Sequence, residues 1–379
     1  MSEYPKTTGK EKLIYVEVIR IIAIFFVIFN HTNQRGYVLF TLYDIGSPQY
    51  YIYMIFAVIA GINVPLFYMI SGMFLLNKQD ESIGYVLKRR IPKYIVVLIG
   101  FSLFHYFRHK HWQIGAFSLK EFLKITYSSG VIIPYWFIYS YLAFLMILPF
   151  LRKIAAGFDK KAFLYLVGLQ LLFCGIIPML QYRFSAGTLY LNNSLTPVFI
   201  SNSIIFYPLI GYYLGNKLKK VEASTLAILA LLFVVSVASS IYMTDYKIRL
   251  TEDIGEGTVS TFFGTTRVIQ VIFVFLFVRK IFEHIKLPKI AGKLITSLGS
   301  CVFGIYLIEE ALRESLYFIY DKIKVSMNRL LAITLYILMI MFLGWLIIGI
   351  LKTLLNLILD LFRKRTRSVR SQDQIIDSK

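Results

Sequence analysis

Ten runs of apolar residues, each close to 20 long, divide this 379-residue chain, at roughly 13–30, 54–76, 91–107, 131–151, 161–181, 196–216, 223–243, 259–279, 296–314 and 329–351. A helix of about 20 residues rises about 30 Å, the thickness of a bilayer's hydrocarbon core. Only helices and closed barrels satisfy their backbone groups there. The runs are continuous, without the period-two alternation of barrel strands, so they read as helices. Composition agrees: 57% of residues are apolar and 16% charged, against about 45–50% and about 25% in soluble domains. The expectation is an all-α, polytopic membrane protein with about ten transmembrane helices.

The net charge of +20 follows from topology and does not point to nucleic acid. Placed on alternate sides, the lysines and arginines divide roughly two to one in favour of the side that holds the termini. Both termini are therefore expected in the cytoplasm. Three segments result: a cytoplasmic stretch 1–12, a membrane domain 13–351 and a basic cytoplasmic tail 352–379. The tail's Arg363-Lys364-Arg365-Thr366-Arg367 suits contact with anionic lipid. The first run carries charge and ends in Asn30-His31-Thr32 with no small-residue cleavage site, so it reads as a retained helix and not a signal peptide. Cys174 and Cys301 lie inside apolar runs and imply no disulfide. The nucleotide and redox motifs GxGxxG, Walker A and CxxC are absent.

Within this apolar frame, Glu17 and Arg20 interrupt the first run and His31 closes it. A charge at mid-membrane costs about 2.5–3.5 kcal/mol on insertion scales, so it pairs, faces water or does chemistry. Arg20 and His31 are eleven residues apart, about 20° from three whole helical turns. Glu17 lies about 60° to the other side. The three share one stripe, with Arg20 and His31 separated by about 16 Å of rise. The plainer reading is a self-satisfied Glu17–Arg20 pair with His31 at the interface. The functional reading follows from the rule that intramembrane ionisable groups mark working sites.

Five segments then resemble, in order, the signatures of the acyltransferase 3 family of integral-membrane O-acyltransferases. Tyr15-Val16-Glu17-Val18-Ile19-Arg20 with Ala23, Val27 and His31 is similar to its first-helix pattern. Val64-Pro65-Leu66-Phe67-Tyr68-Met69-Ile70-Ser71-Gly72 resembles its second-helix motif. Pro134-Tyr135-Trp136-Phe137, with Tyr141 and Pro149, is like its Trp-Phe helix. Phe206-Tyr207-Pro208-Leu209-Ile210-Gly211-Tyr212-Tyr213-Leu214-Gly215 resembles its paired-glycine helix. Ser300-Cys301-Val302-Phe303-Gly304-Ile305-Tyr306-Leu307-Ile308 is like its late motif. The chain departs from the family at Glu309, where a His is usual, followed by Glu310. It also offers Lys88-Arg89-Arg90-Ile91-Pro92-Lys93 where the family tends to carry Arg-x-x-Arg.

The resemblance implies transfer of an acyl group, most simply acetyl, from cytosolic acyl-CoA to a hydroxyl of an extracytoplasmic glycan such as a capsule, exopolysaccharide or wall polymer. It implies a multi-pass protein of the plasma membrane, with acyl-CoA a donor substrate and no resident cofactor. His31 would be the general base or a transient acyl carrier, since an unperturbed imidazole titrates at about 6.5. Its orienting partner is not identified by the sequence. Arg20 would stabilise oxyanion charge, bind a CoA phosphate or lock Glu17, which supports it. Lys88, Arg89 and Arg90, with Lys93, would hold CoA phosphates, although positive-inside loops look the same without a ligand. Trp136 and Tyr135 would line the sugar site or serve as belt aromatics.

Two further motifs read as structural. Ser71-Gly72 lacks the G-x-S-x-G elbow of a serine nucleophile and suits close helix packing. His105, His109 and His111 stand among Arg108 and Lys110 with no carboxylate or Cys nearby in sequence, so no metal is expected. Two rival functions stay open at this point. One is an exporter or flippase of a lipid-linked or polymeric glycan. The other is a structural subunit of a glycan synthase.

Overall fold

The structure, a computed structural model, describes residues 13–376 apart from 79–80, 187, 189–190, 283–284 and 286, with side chains described to residue 357, residue 193 excepted. The expected segment 1–12 and His284 lie outside the described residues, as do the side chains of the basic run 363–367.

Every described element is helical or irregular, with no strand among the described residues. The main helices are α1 (Ile14–Asn30), α2 (Pro48–Ala60), α3 (Asn63–Leu75), α4 (Ile91–His109), α5 (Leu119–Ser128), α6 (Trp136–Ala156), α7 (Lys160–Gln170), α8 (Ile177–Ser185), α9 (Ser203–Tyr212), α10 (Ala223–Thr251), α11 (Arg267–Phe282), α12 (Lys289–Ile323) and α13 (Arg329–Ile376). Nine of the ten apolar runs fall on one helix or on a broken helix, whereas the eighth, 259–279, passes through a turn at 260–266 before α11 begins. Among the described residues, six stretches are long and apolar enough to cross a membrane: Pro48–Leu75, Ile133–Ala156, Lys160–Ser185, Ala223–Thr251, Lys289–Ile323 and Arg329–Leu357. The other four runs lie on α1, α4, α9 and α11, which are shorter or carry more charge.

Local chemistry accounts for the breaks. α2 begins where Ser47 accepts from the Tyr50 N–H (3.2 Å) and Pro48 takes the first helical position. The chain bends at Gly61 and resumes as α3. α4 has Pro92 in its first turn, where the missing N–H costs no helical bond. α7 runs into α8 through a widened turn, Leu171–Ile176, just before Pro178. Proline removes the N–H that would close the ladder, and an extra residue in the turn absorbs the loss.

α1 lies at the centre, packed by α12, α3, α11 and α13. Ile19, Ala23, Ile24 and Ile28 are fully buried around it. α3 and α9 approach so closely that a Cβ on Gly72 would overlap the Pro208 backbone, and one on Gly211 the Met69 backbone. Ser71-Gly72 and the paired-glycine helix are thus two sides of one small-residue contact. The free cysteines Cys174 and Cys301 form no disulfide.

A buried arginine closes one end of this core. Arg152 on α6 donates to the carbonyls of Leu75 (2.9 Å) and Glu81 (3.1 Å) and to the Glu81 carboxylate (2.7 Å). It thereby satisfies an orphan carbonyl at the end of α3. Glu81 also accepts from Arg90 Nε at 2.8 Å. The Arg90 bond, followed by the Arg152 bond, holds the Glu81 carboxyl down at about 2.

Candidate functional site

A cavity of about 850 Å³ runs beside the polar stripe of α1, within the ~300–1,000 Å³ usual for small-molecule sites. Arg20 and His31 both line it, with Ser71, Lys93, Trp136 and Tyr141 among the rest of its wall. The helical spacing of α1 thus brings both charged positions to one cavity. Their separation along the helix, about 16 Å, exceeds what an arginine and an imidazole can bridge together. They serve different stretches of the same space.

At the Arg20 end, Arg20 Nη1 donates to Glu17 Oε1 at 2.8 Å. The other Glu17 oxygen is buried without a hydrogen-bond partner. Glu17 is 4% exposed and seats against Gly299, where an added Cβ would overlap its Oε2. The carboxylate is therefore fixed by one short local bond and by close packing of α12.

At the other end, His31 Nδ1 lies 2.6 Å from Glu309 Oε1. Glu309, on α12, is fully buried. Its second oxygen accepts from Arg313 Nε at 3.2 Å, one turn further along. Arg313 bonds in turn to the Tyr317 hydroxyl. A carboxylate held by an arginine can only accept, so Nδ1 of His31 carries the proton. That fixes the neutral tautomer with Nε2 as an acceptor, and Nε2 makes no hydrogen bond among the described residues. The partner missing from the sequence reading is thus Glu309. Its signal was present as a carboxylate at the position where the resembling family carries His. The pairing spans 278 residues of sequence and could not be read from it.

The remaining candidates separate. Trp136 lines the cavity, whereas Tyr135 is buried beside it and donates to the Leu307 carbonyl at 2.9 Å. Among the basic residues before α4, Lys93 lines the cavity. Arg90 is committed to Glu81, and Lys88 and Arg89 are exposed outside the cavity wall.

Folding brings carboxylates to the histidine cluster that its sequence neighbourhood lacks. Ligand atoms of His109, Glu310 and Glu314 lie within 4.8 Å of one another. Arg108 occupies that position, donating to Glu310 (3.0 Å) and Glu314 (2.6 Å). His105 is buried and bonds the Leu307 carbonyl at 3.1 Å. An arginine between the carboxylates supplies the charge that a cation would otherwise bring.

No curated protein and no solved structure matches the chain. The family profile described as "Acyltransferase domain" matches residues 13–349, which takes in α1 with its His31, the α3–α9 contact and Glu309 on α12. Over nearly its whole length, then, this membrane-embedded helical chain belongs to the acyltransferase 3 family of acyltransferases.

Proposed function

We propose that the protein transfers an acetyl group from cytosolic acetyl-CoA to a hydroxyl of an extracytoplasmic glycan, with His31 as general base and Glu309 as its positioning residue. The observation that carries this reading is the 2.6 Å His31–Glu309 bond on the wall of the cavity.

A sugar hydroxyl is a weak nucleophile at neutral pH and needs a base of pKa near 7. His31 Nε2 accepts the hydroxyl proton as the oxygen attacks the thioester carbonyl. The C–O bond forms, the C–S bond breaks, and the departing CoA sulfur takes the proton back from Nε2. Glu309 holds the ring in the tautomer that permits this and stabilises the imidazolium in between. Because Glu309 is buried, it needs an opposite charge to stay ionised, and Arg313 on its second oxygen supplies one.

Arg20 acts on the donor. With the N-terminus inside, as the basic-residue bias favours, Arg20 sits nearer the cytosol and His31 nearer the outer face. Arg20 and Lys93 then present two cations along the route of CoA, which carries phosphates. Trp136 supplies an aromatic face for a sugar ring.

The deciding experiment uses the full-length protein in nanodiscs with acetyl-CoA, following release of CoA thiol, together with NMR of the cell glycan with and without the gene. Acetyl-CoA-dependent ester formation supports the reading. Wild-type ester content in cells lacking the gene overturns it.

A further inference from the structure

The cavity that His31 lines holds a further cation that the acyl-transfer step does not use. Arg267 opens α11, and its side chain lines the same cavity as His31. Its Nε is buried without a hydrogen-bond partner. No ion pair or hydrogen bond of its side chain occurs among the described residues, which sets it apart from Arg20, Arg90, Arg108, Arg152 and Arg313.

Its place is also specific. The guanidinium lies over Gly61 at the bend between α2 and α3, where a Cβ would come within 2.7 Å of its Cζ. Two residues on, Asn63 Nδ2 donates to the Phe26 carbonyl at 3.3 Å. This ties the bend to the last turns of α1, just before His31. Tyr37 feels the charges of both Arg267 and Glu256, and both residues also line the cavity. Glu256 is exposed, and its carboxylate lies beyond the 4.0 Å of an ion pair with Arg267.

A partly desolvated cation without a counter-charge is costly in a membrane protein. Such a guanidinium is suited to two bonds with a carboxylate or phosphate. We propose that Arg267 binds an anionic group of the acceptor, so that the preferred glycan carries a carboxylate or phosphodiester near the hydroxyl that is acylated. This rests on the reading of the cavity as the acyl-transfer site, and it adds the charge class of the acceptor.

The test is a binding measurement that needs no acyl transfer. Full-length protein in nanodiscs is titrated with methyl α-D-glucuronide, sn-glycerol 3-phosphate and neutral methyl α-D-glucoside. The variants are Arg267→Gln, Arg267→Lys and Glu256→Gln, each checked for monodispersity and thermal stability. At least one anionic probe should bind about tenfold or more tighter than the glucoside, the scale of a charge-assisted hydrogen bond. Arg267→Gln should remove that preference, Arg267→Lys should keep part of it, and Glu256→Gln should leave it intact. Which probe is preferred separates a carboxylated sugar from a phosphate-bearing polymer. Equal binding of all three probes by the wild type, or an anion preference that survives Arg267→Gln, overturns the proposal. So does a gain of the preference by about tenfold or more in Glu256→Gln, because Arg267 would then be serving that carboxylate in the wild type. Absence of CoA release with every acceptor counts against the acyl-transfer reading alone, since the binding result stands apart from it.

Discussion

The two ends of α1 solve the same problem in opposite ways. At Glu17 the charge is neutralised locally, by Arg20 three residues on, and one carboxylate oxygen is left buried and unpaired. At His31 the partner comes from the far end of the chain, and both oxygens of Glu309 are occupied. A local pair forms as soon as the helix forms, and it stabilises that helix by about 0.2–0.5 kcal/mol. A pair across 278 residues exists only when α1 and α12 have docked. The second arrangement fixes a ring nitrogen in space, which is what proton transfer needs. The first fixes the Arg20 guanidinium on the cavity wall through one bond to Glu17.

The comparison can be broken most directly at its functional end. His31→Ala should lower turnover by about 10²–10⁴, the contribution of a general base, with normal membrane insertion. A purified variant that keeps more than about a tenth of wild-type turnover, above what that range allows, would remove His31 from the base role.

The next largest effect concerns Arg20. Lysine keeps the charge and loses the planar fork. Arg20→Lys should therefore raise the KM for acetyl-CoA about tenfold, the worth of one charge-assisted bond, with a smaller change in kcat. The double variant Glu17→Gln, Arg20→Gln removes both charges together and should insert well but turn over poorly. Wild-type turnover of that double variant would reduce the α1 pair to mutual neutralisation.

A smaller effect sharpens the packing side. Gly299→Ala puts a methyl where Glu17 Oε2 now sits, so Glu17 or α12 has to move. A destabilisation of about 1–3 kcal/mol is expected, read as a lower melting temperature in detergent, with the His31 end unaffected. An unchanged melting temperature would mean that Glu17 is not held as described.

The smallest effect on turnover comes from an ion cluster outside the cavity. Glu81 titrates at about 2 in the folded protein, against an ordinary 4.5, because it accepts from Arg90 and Arg152. A depressed carboxyl stabilises the fold fully above about 4.5, and the contribution fades as pH falls toward 2. Glu81→Gln should lower the melting temperature at pH 7 and converge with wild type as pH falls toward 2, while turnover per folded molecule stays unchanged. A constant difference across that range would contradict the assignment.

Sequence reading went furthest where the signal is local. Each of the ten apolar runs contains helix, though the eighth is helical mainly from Arg267 onward, and Arg20 and His31 of the α1 stripe reach one cavity while Glu17 packs away from it. Hydropathy set the ends of α10 and α12 too short, because both helices continue with polar residues past their apolar segments. Trp136 and Tyr135 share one dipeptide yet part at the cavity wall, since helical neighbours point about 100° apart. In the sequence Arg267 is one charge inside the eighth apolar run, with nothing beside it to mark a role. That it makes no ion pair among the described residues follows from tertiary packing, with Gly61 set against its guanidinium, which no local pattern carries. Glu309 stood out as a departure from the resembling family, but its partner could be found only in three dimensions.

The central claim, that His31 and Glu309 act as one unit, is tested most directly by a double-mutant cycle on turnover. Purified wild type, His31→Ala, Glu309→Gln and the double variant are compared with the same donor and acceptor, after confirming that all four insert and melt cooperatively. A positioning residue has nothing to position once the base is gone. Glu309→Gln alone should lose about a hundredfold or more, because an amide no longer enforces the required tautomer. The double variant should be no slower than His31→Ala alone. Losses that multiply in the double variant would show that the two residues act independently and would contradict the account.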